Sequence, residues 1–188
     1  YANQGAVNTG YLNTYYMRIG KKTELGNAEV AGAVYADIPS TIPATARIVN
    51  ASVGVAFYDI QGPSKNSGIV LSAYQITEDW NTQNINEDTI LYYDSPDERD
   101  TPYIADESLD YERVVDTESY TSSYQTFDIT RAAQDWMHNN NNYGIMLRMD
   151  YEYVAENNYL MLFSSDHDVN SPYFVFSYID TTGVEDYY

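Results

Sequence analysis

The sequence predicts an all-β protein, a jelly-roll-like antiparallel β-sandwich with one short capping α-helix at about 129–138. Three observations carry that expectation. Short runs of alternating apolar and polar residues recur along the chain, separated by turn signals. Long loops lie between some of those runs, which favours a Greek-key or jelly-roll path over a simple meander. One stretch alone, "FDITRAAQDWMHNNNNYG" at 127–144, has clear helical periodicity. The 188 residues suit a single domain, predicted over 1–179, followed by a patternless linker, "DTTGVEDYY", at 180–188.

The first predicted strand is "YLNTYYMRIG" (11–20), closed by the polar turn "KKTELGN". "EVAGAVYADI" (29–38) reads as the second, with Val34, Ala36 and Ile38 on one face. "PSTIPAT" (39–45) interrupts any ladder, because proline has no N–H to donate. "RIVNASVGVAFYDI" (47–60) is the cleanest strand and aligns Ala51, Val53, Val55 and Phe57. After a turn-rich loop at 61–68 comes "IVLSAYQITEDW" (69–80). A polar loop, a short strand in "TILYYDS" and an acidic loop at 96–107 follow. Further strands are predicted at 111–116, 123–129, 144–151, 158–164 and 173–179, with Ile145, Leu147 and Met149 sharing a face.

Within the helical stretch, Ile129, Ala132, Ala133 and Trp136 fall at i, i+3, i+4 and i+7. Asp128 or Thr130 is placed to cap the first turn, and "NNNNYG" to end the helix, since Asn and Gly tolerate left-handed backbone. The helix is therefore expected to close one end of the sandwich with the Trp136 indole.

Composition restricts the function. Aspartate and glutamate number 28 against 9 basic residues, a formal charge of −19. That field repels nucleic acid, anionic lipid and acidic polysaccharide, and favours neutral or cationic partners or a divalent ion. No apolar run approaches the ~18 residues of a membrane span, so no direct membrane insertion is expected. Cysteine is absent, which a chain with a core of this size tolerates in any compartment. The chain opens at Tyr1 without methionine, and we expect it to be part of a larger polypeptide.

Candidate sites are sparse. Trp80 and Trp136 lie on apolar faces and are read as core rather than as sugar platforms. Among the 21 tyrosines, Tyr92, Tyr93, Tyr103, Tyr151 and Tyr153 sit near loops, where phenol rings can bind a sugar at little entropic cost. Asp166 and Asp168 alternate around His167, a spacing of oxygen ligands that suits structural calcium. The Gly and distal Glu of an EF-hand loop are missing, and a turn satisfying its own backbone is the commoner outcome of such a sequence. No cofactor is required by any motif. Lys21, Lys22 and Lys65 lie in polar turns, which argues against an internal isopeptide. Catalysis is not expected: there is no Cys nucleophile, no G-x-S-x-G elbow and no H-E-x-x-H helix. Abundant carboxylates leave a glycoside hydrolase as the remote alternative.

The order of four segments resembles the DNRLRE domain, an extracellular β-sandwich family. They are "AGAVYADIPSTIPATARIVNASVGVAF", "AYQITEDWNTQNINEDTILYYDSP", "FDITRAAQDWMHNNNNYGIMLR" and "LMLFSSDHDVNSPYFVFSY". The matching positions are Asp37 to Pro39, Pro43, Ile48, Ala51, Thr77, Trp80, Thr89 to Tyr92, Asp128 to Trp136, Gly144 to Leu147, Phe163 to Asp166 and Pro172 to Tyr178. Tyr35, Tyr92 and Asp166 stand where the family usually has Phe or Ile, Trp and Glu. The tail "TTGVEDYY" is similar to the junction after this domain in bacterial Rhs/YD-repeat wall-associated proteins. The resemblance implies a secreted or cell-surface, non-enzymatic module serving adhesion or spacing, with a glycan or another surface protein as partner. Some relatives bind alginate-type polyanions. Three Lys and six Arg against 28 acids make a neutral glycan the better expectation here.

Overall fold

The computed structural model describes residues 16–21, 29–30, 32–62, 69–77, 110–115, 124–149, 157–164 and 167–180. In chain order the elements are β1 (Tyr16–Lys21), β2 (Glu29–Val30), β3 (Gly32–Val34), β4 (Arg47–Gln61), β5 (Ile69–Gln75), β6 (Asp110–Val115), β7 (Tyr124–Asp128), α1 (Thr130–Asn139), β8 (Ile145–Met149), β9 (Tyr159–Phe163) and β10 (Tyr173–Ile179). They form an antiparallel β-sandwich. The first sheet has the order β10-β4-β9-β1-β2, with β7 also paired to β4; the second has the order β3-β8-β5-β6. The chain crosses from one sheet to the other repeatedly instead of meandering.

β4 is the spine of the first sheet. Its residues Ser52 to Gly54 pair with β10 and with β7 at once, so both edges of the strand are occupied there. Alternation sends Ala51, Val53, Val55 and Phe57 inward, each 0–1% exposed. They meet Leu71 and Ala73 of β5 and Ile145, Leu147 and Met149 of β8 in one core. Each Val, Leu, Ile, Met or Phe among them contributes about 1.5–3 kcal/mol by leaving water, and each alanine less.

The strand expected over 29–38 divides. β2 pairs with β1 in the first sheet, whereas β3 pairs with β8 in the second. Beyond Val34 the prolines impose turns: Ile42 N–H donates to the Pro39 carbonyl at 2.9 Å, and Ala46 N–H to that of Pro43 at 2.8 Å. These turns carry Ile42 and Ala46 into the core. β5 ends at Gln75, short of the expected 80; Ile76 N–H donates to the Gly144 carbonyl at 3.1 Å.

Helix α1 joins β7 of the first sheet to β8 of the second and thus bridges the layers at one end. Its buried face is Ala132, Ala133 and Trp136. Capping differs in detail from the expectation. Ile129 takes the cap position and makes no side-chain cap. Asp128 Oδ1 accepts the Thr130 N–H at 2.8 Å, while the Thr130 hydroxyl accepts the Ala51 N–H at 2.9 Å. Ile129 N–H in turn donates to the Ala51 carbonyl at 2.9 Å. The β4–β7 ladder therefore continues through the first residue of the helix and anchors it to the spine.

Four asparagines end α1, and each has a separate task. Asn139 Nδ2 donates to Asp135 Oδ1 at 2.6 Å. Asn140 adopts the left-handed conformation, φ 53°, and its N–H donates to the Trp136 carbonyl. Asn141 Nδ2 donates to Asp135 Oδ2 at 2.8 Å. Asn142 donates to the Ala36 carbonyl at 2.9 Å and accepts the Gly144 N–H at 3.1 Å, turning the chain into β8.

A candidate ligand face on the outer side of the first sheet

None of the tyrosines with described side chains enters the core; all are exposed or half-buried. The core is filled by Val, Ile, Leu and Ala with Phe57, Phe127 and Trp136. The phenol rings on strands consequently lie on the outer faces of the sheets, and on the first sheet several converge.

Strand register explains how. Ile19 and Leu160 face each other inward across β1 and β9, so Tyr16 and Phe163, paired three residues away, face outward. On β4, Phe57 pairs with Leu162 and Asp59 with Met161, leaving Tyr58 as the extra residue of a β-bulge. A bulge re-aims a side chain at the cost of a ladder step. Here alternation after inward Phe57 already points Tyr58 outward, 46% exposed and onto Tyr16, and the bulge brings Ile60 back into the core. Their rings stack with centroids 4.3 Å apart. Phe163 lies 5.5 Å from Tyr16 and 5.6 Å from Tyr58, and the His167 ring packs 4.2 Å from Phe163. Desolvation, together with the charge and hydroxyl of neighbouring Tyr58, raises the Tyr16 phenol above its ordinary pKa.

His167 belongs to the β9–β10 connection and organises it. Its Nδ1 accepts the N–H groups of Val169 and Asn170 at 3.3 and 3.2 Å, so the proton is assigned to Nε2. Its own N–H donates to the Ser164 carbonyl at 3.2 Å, and Ser171 Oγ donates to its carbonyl. Beyond this loop a second pair of rings continues the face. Tyr124 and Tyr173 meet edge to face at 4.8 Å, and the Tyr173 ring lies directly over Gly54. The Tyr124 hydroxyl donates to the Ser171 carbonyl at 3.1 Å. Gly54 and Tyr58 are four residues apart on β4, roughly 13 Å at the usual strand rise.

The residues singled out from sequence fall elsewhere. Tyr92, Tyr93, Tyr103, Tyr151, Tyr153, Trp80 and Asp166 lie outside the described residues, as do the strand expected at "TILYYDS", the acidic loop at 96–107, Lys22, Lys65 and the tail at 181–188. Asp168 is exposed in the turn that His167 holds. Among the described residues no group of three His, Asp or Glu side chains is arranged to hold a metal. Among the described residues no helix is long and apolar enough to cross a membrane. Trp136, 2% exposed, belongs to the core.

Asp135 forms a different kind of polar centre. Besides Asn139 and Asn141 it accepts Gln75 Nε2 at 2.6 Å. Partial burial pushes its carboxyl upward, but the donors Asn141, Gln75 and Asn139, with the nearby His138, outweigh that effect and hold it below the usual aspartate value. The arrangement ties α1 to β5 and is structural.

Comparison with known proteins finds no family model that matches the chain, and no curated protein matches it either.

Proposed function

We propose that the chain is a non-catalytic, extracellular β-sandwich module of a bacterial cell-surface or wall-associated protein, serving as an adhesion or spacer unit. The observation that carries this reading is the outward placement of the aromatic groups: Tyr16, Tyr58, Phe163, Tyr124 and Tyr173 gather on one sheet face while aliphatic residues fill the interior. An outward face rich in tyrosine suits contact with another surface, since phenol rings supply apolar area and a wet polar tip.

The resemblance to the DNRLRE family supports it. Several of its motif residues serve the scaffold: Ile48, Ala51, Ile129 and Trp136 are buried, Pro39 and Pro43 begin turns, and Gly144 has φ 93°. A motif of that kind specifies a fold and leaves the surface free to vary. Beads coated with the 188-residue chain should be retained on bacterial cell-wall preparations or host matrix. Retention no better than that of albumin-coated beads on every such surface would refute the adhesive role.

A neutral-glycan partner is the second reading, favoured by the half-exposed Tyr58 ring held against Tyr16.

A further inference from the structure

We propose that Tyr16 and Tyr58 form a site of oxidative cross-linking, at which a peroxidase-type oxidant joins the two rings as dityrosine and staples β1 to β4. Such a link would form whether or not the module adheres to anything.

Sheet order places the pair. β9 lies between β1 and β4, so the two tyrosines come from strands that share no ladder. Their rings lean towards each other over β9 and cover Phe163, which faces outward yet is only 8% exposed. They stack face to face with centroids 4.3 Å apart and planes 27° from parallel. Their hydroxyls also lie within hydrogen-bond reach of each other, so the phenol ends point the same way. Stacking in that register sets the carbons ortho to one hydroxyl against those ortho to the other. These are the carbons at which phenoxyl radicals couple. Tyr124 and Tyr173 meet at 62° instead, edge against face, and lack that alignment.

Each phenol first loses one electron and its hydroxyl proton. The two unpaired electrons then pair as a new bond between one ortho carbon of each ring. The hydrogens on those carbons move to the phenol oxygens as both rings regain aromaticity. Two electrons and two protons have left in all, and hydrogen peroxide, reduced through a haem peroxidase, takes them up as two waters. Tyr58 is 46% exposed, which admits the oxidant and leaves its ring room to swing about the new bond. A radical on an isolated surface ring must wait for a collision, whereas here its partner is already in contact. Cysteine is absent, so no disulfide can fasten this sheet, and a link from Tyr16 to Tyr58 closes a long loop of the unfolded chain.

The test is treatment of the dilute full chain with a haem peroxidase and limiting hydrogen peroxide, followed by isolation of the monomer. The monomer should gain blue dityrosine fluorescence, weigh about 2 Da less than before, and melt at a higher temperature than the untreated chain. Proteolysis and mass spectrometry should join the peptide holding Tyr16 to that holding Tyr58. Tyr16→Phe and Tyr58→Phe keep a ring in place and remove only the oxidisable hydroxyl, so each should cut that product about tenfold or more, while Tyr124→Phe leaves it unchanged. A monomer of unchanged mass after the peroxide is consumed would overturn the proposal, as would products linked only between molecules. A bridge mapped to Tyr124 and Tyr173, or an undiminished yield from Tyr58→Phe, would do the same.

Discussion

Asp135 and its neighbour Trp136 show how one turn of helix serves two different demands. The Trp136 indole fills the core at the end where α1 bridges the sheets, and Trp136→Ala should cost about 3–5 kcal/mol by chemical denaturation. Its Nε1 is buried without a hydrogen-bond partner among the described residues. An orphaned donor of that kind costs about 1–3 kcal/mol. Trp136→Phe removes both some volume and the orphan, so it should cost less than half of what alanine does. A phenylalanine variant as unstable as the alanine one would show that the indole N–H is satisfied in solution. Asp135 works through charge. Because its carboxyl is held below the ordinary value, it stabilises the fold fully above the unfolded value of about 3.9, and that contribution is lost as pH falls through the depressed folded value. Asp135→Ala should therefore lower stability by about 1–2 kcal/mol at pH 7, discounted for partial exposure, with the gap to wild type narrowing as pH falls below the ordinary aspartate range. A gap that stayed constant with pH would assign the loss to packing.

Among the elements, what could be read from sequence follows from how local the determining force is. The strand expected at 47–60 occupies 47–61, and the one at 173–179 has those bounds, because alternation is written into consecutive residues. The helix was legible for the same reason. The split at 29–34 was not, since "EVAGAV" alternates as smoothly as any unbroken strand; what divides it is a change of partner from β1 to β8. Tyr16, Tyr58 and the Phe163–His167 segment are far apart in the chain, and only strand register brings them together. The one local hint was the overcrowding of tyrosine in a chain whose core could be filled without it. Two glycines are crowded in different ways. At Gly144, φ is 93° and an added Cβ would lie 2.5 Å from the Val34 carbonyl oxygen. Gly144→Ala should cost about 2 kcal/mol or more, because both the conformation and the contact are backbone constraints. Gly54 has the opposite character: the atoms nearest to a Cβ there all belong to the Tyr173 ring and its hydroxyl. Gly54→Ala should therefore displace that ring, seen as a shifted Tyr173 NMR signal, while melting changes little. A collapse in stability would mean that the ring cannot leave.

For the whole molecule the governing quantity is charge. A net −19 on 188 residues repels itself, and added salt screens that repulsion. The screening length shrinks from roughly 30 Å at 0.01 M to roughly 8 Å at 0.15 M salt, so the melting temperature should rise over that range. A fall would show that attractive pairs dominate the surface. Calcium adds a separate arm: a rise in melting temperature beyond that given by magnesium at equal ionic strength, lost on Asp168→Asn, would assign an ion to the Asp166–Asp168 region, and an identical response would remove it. One further consequence belongs to the molecule's lifetime. The rim is fastened by asparagine amides donated to a single carboxylate, and asparagine slowly loses ammonia in water. Hydrolysis at Asn141 would turn a donor into a second anion facing Asp135, converting a clasp into a repulsion. The sealed end thus carries a chemical clock: chains deamidated at Asn141 on ageing at alkaline pH should melt before intact ones.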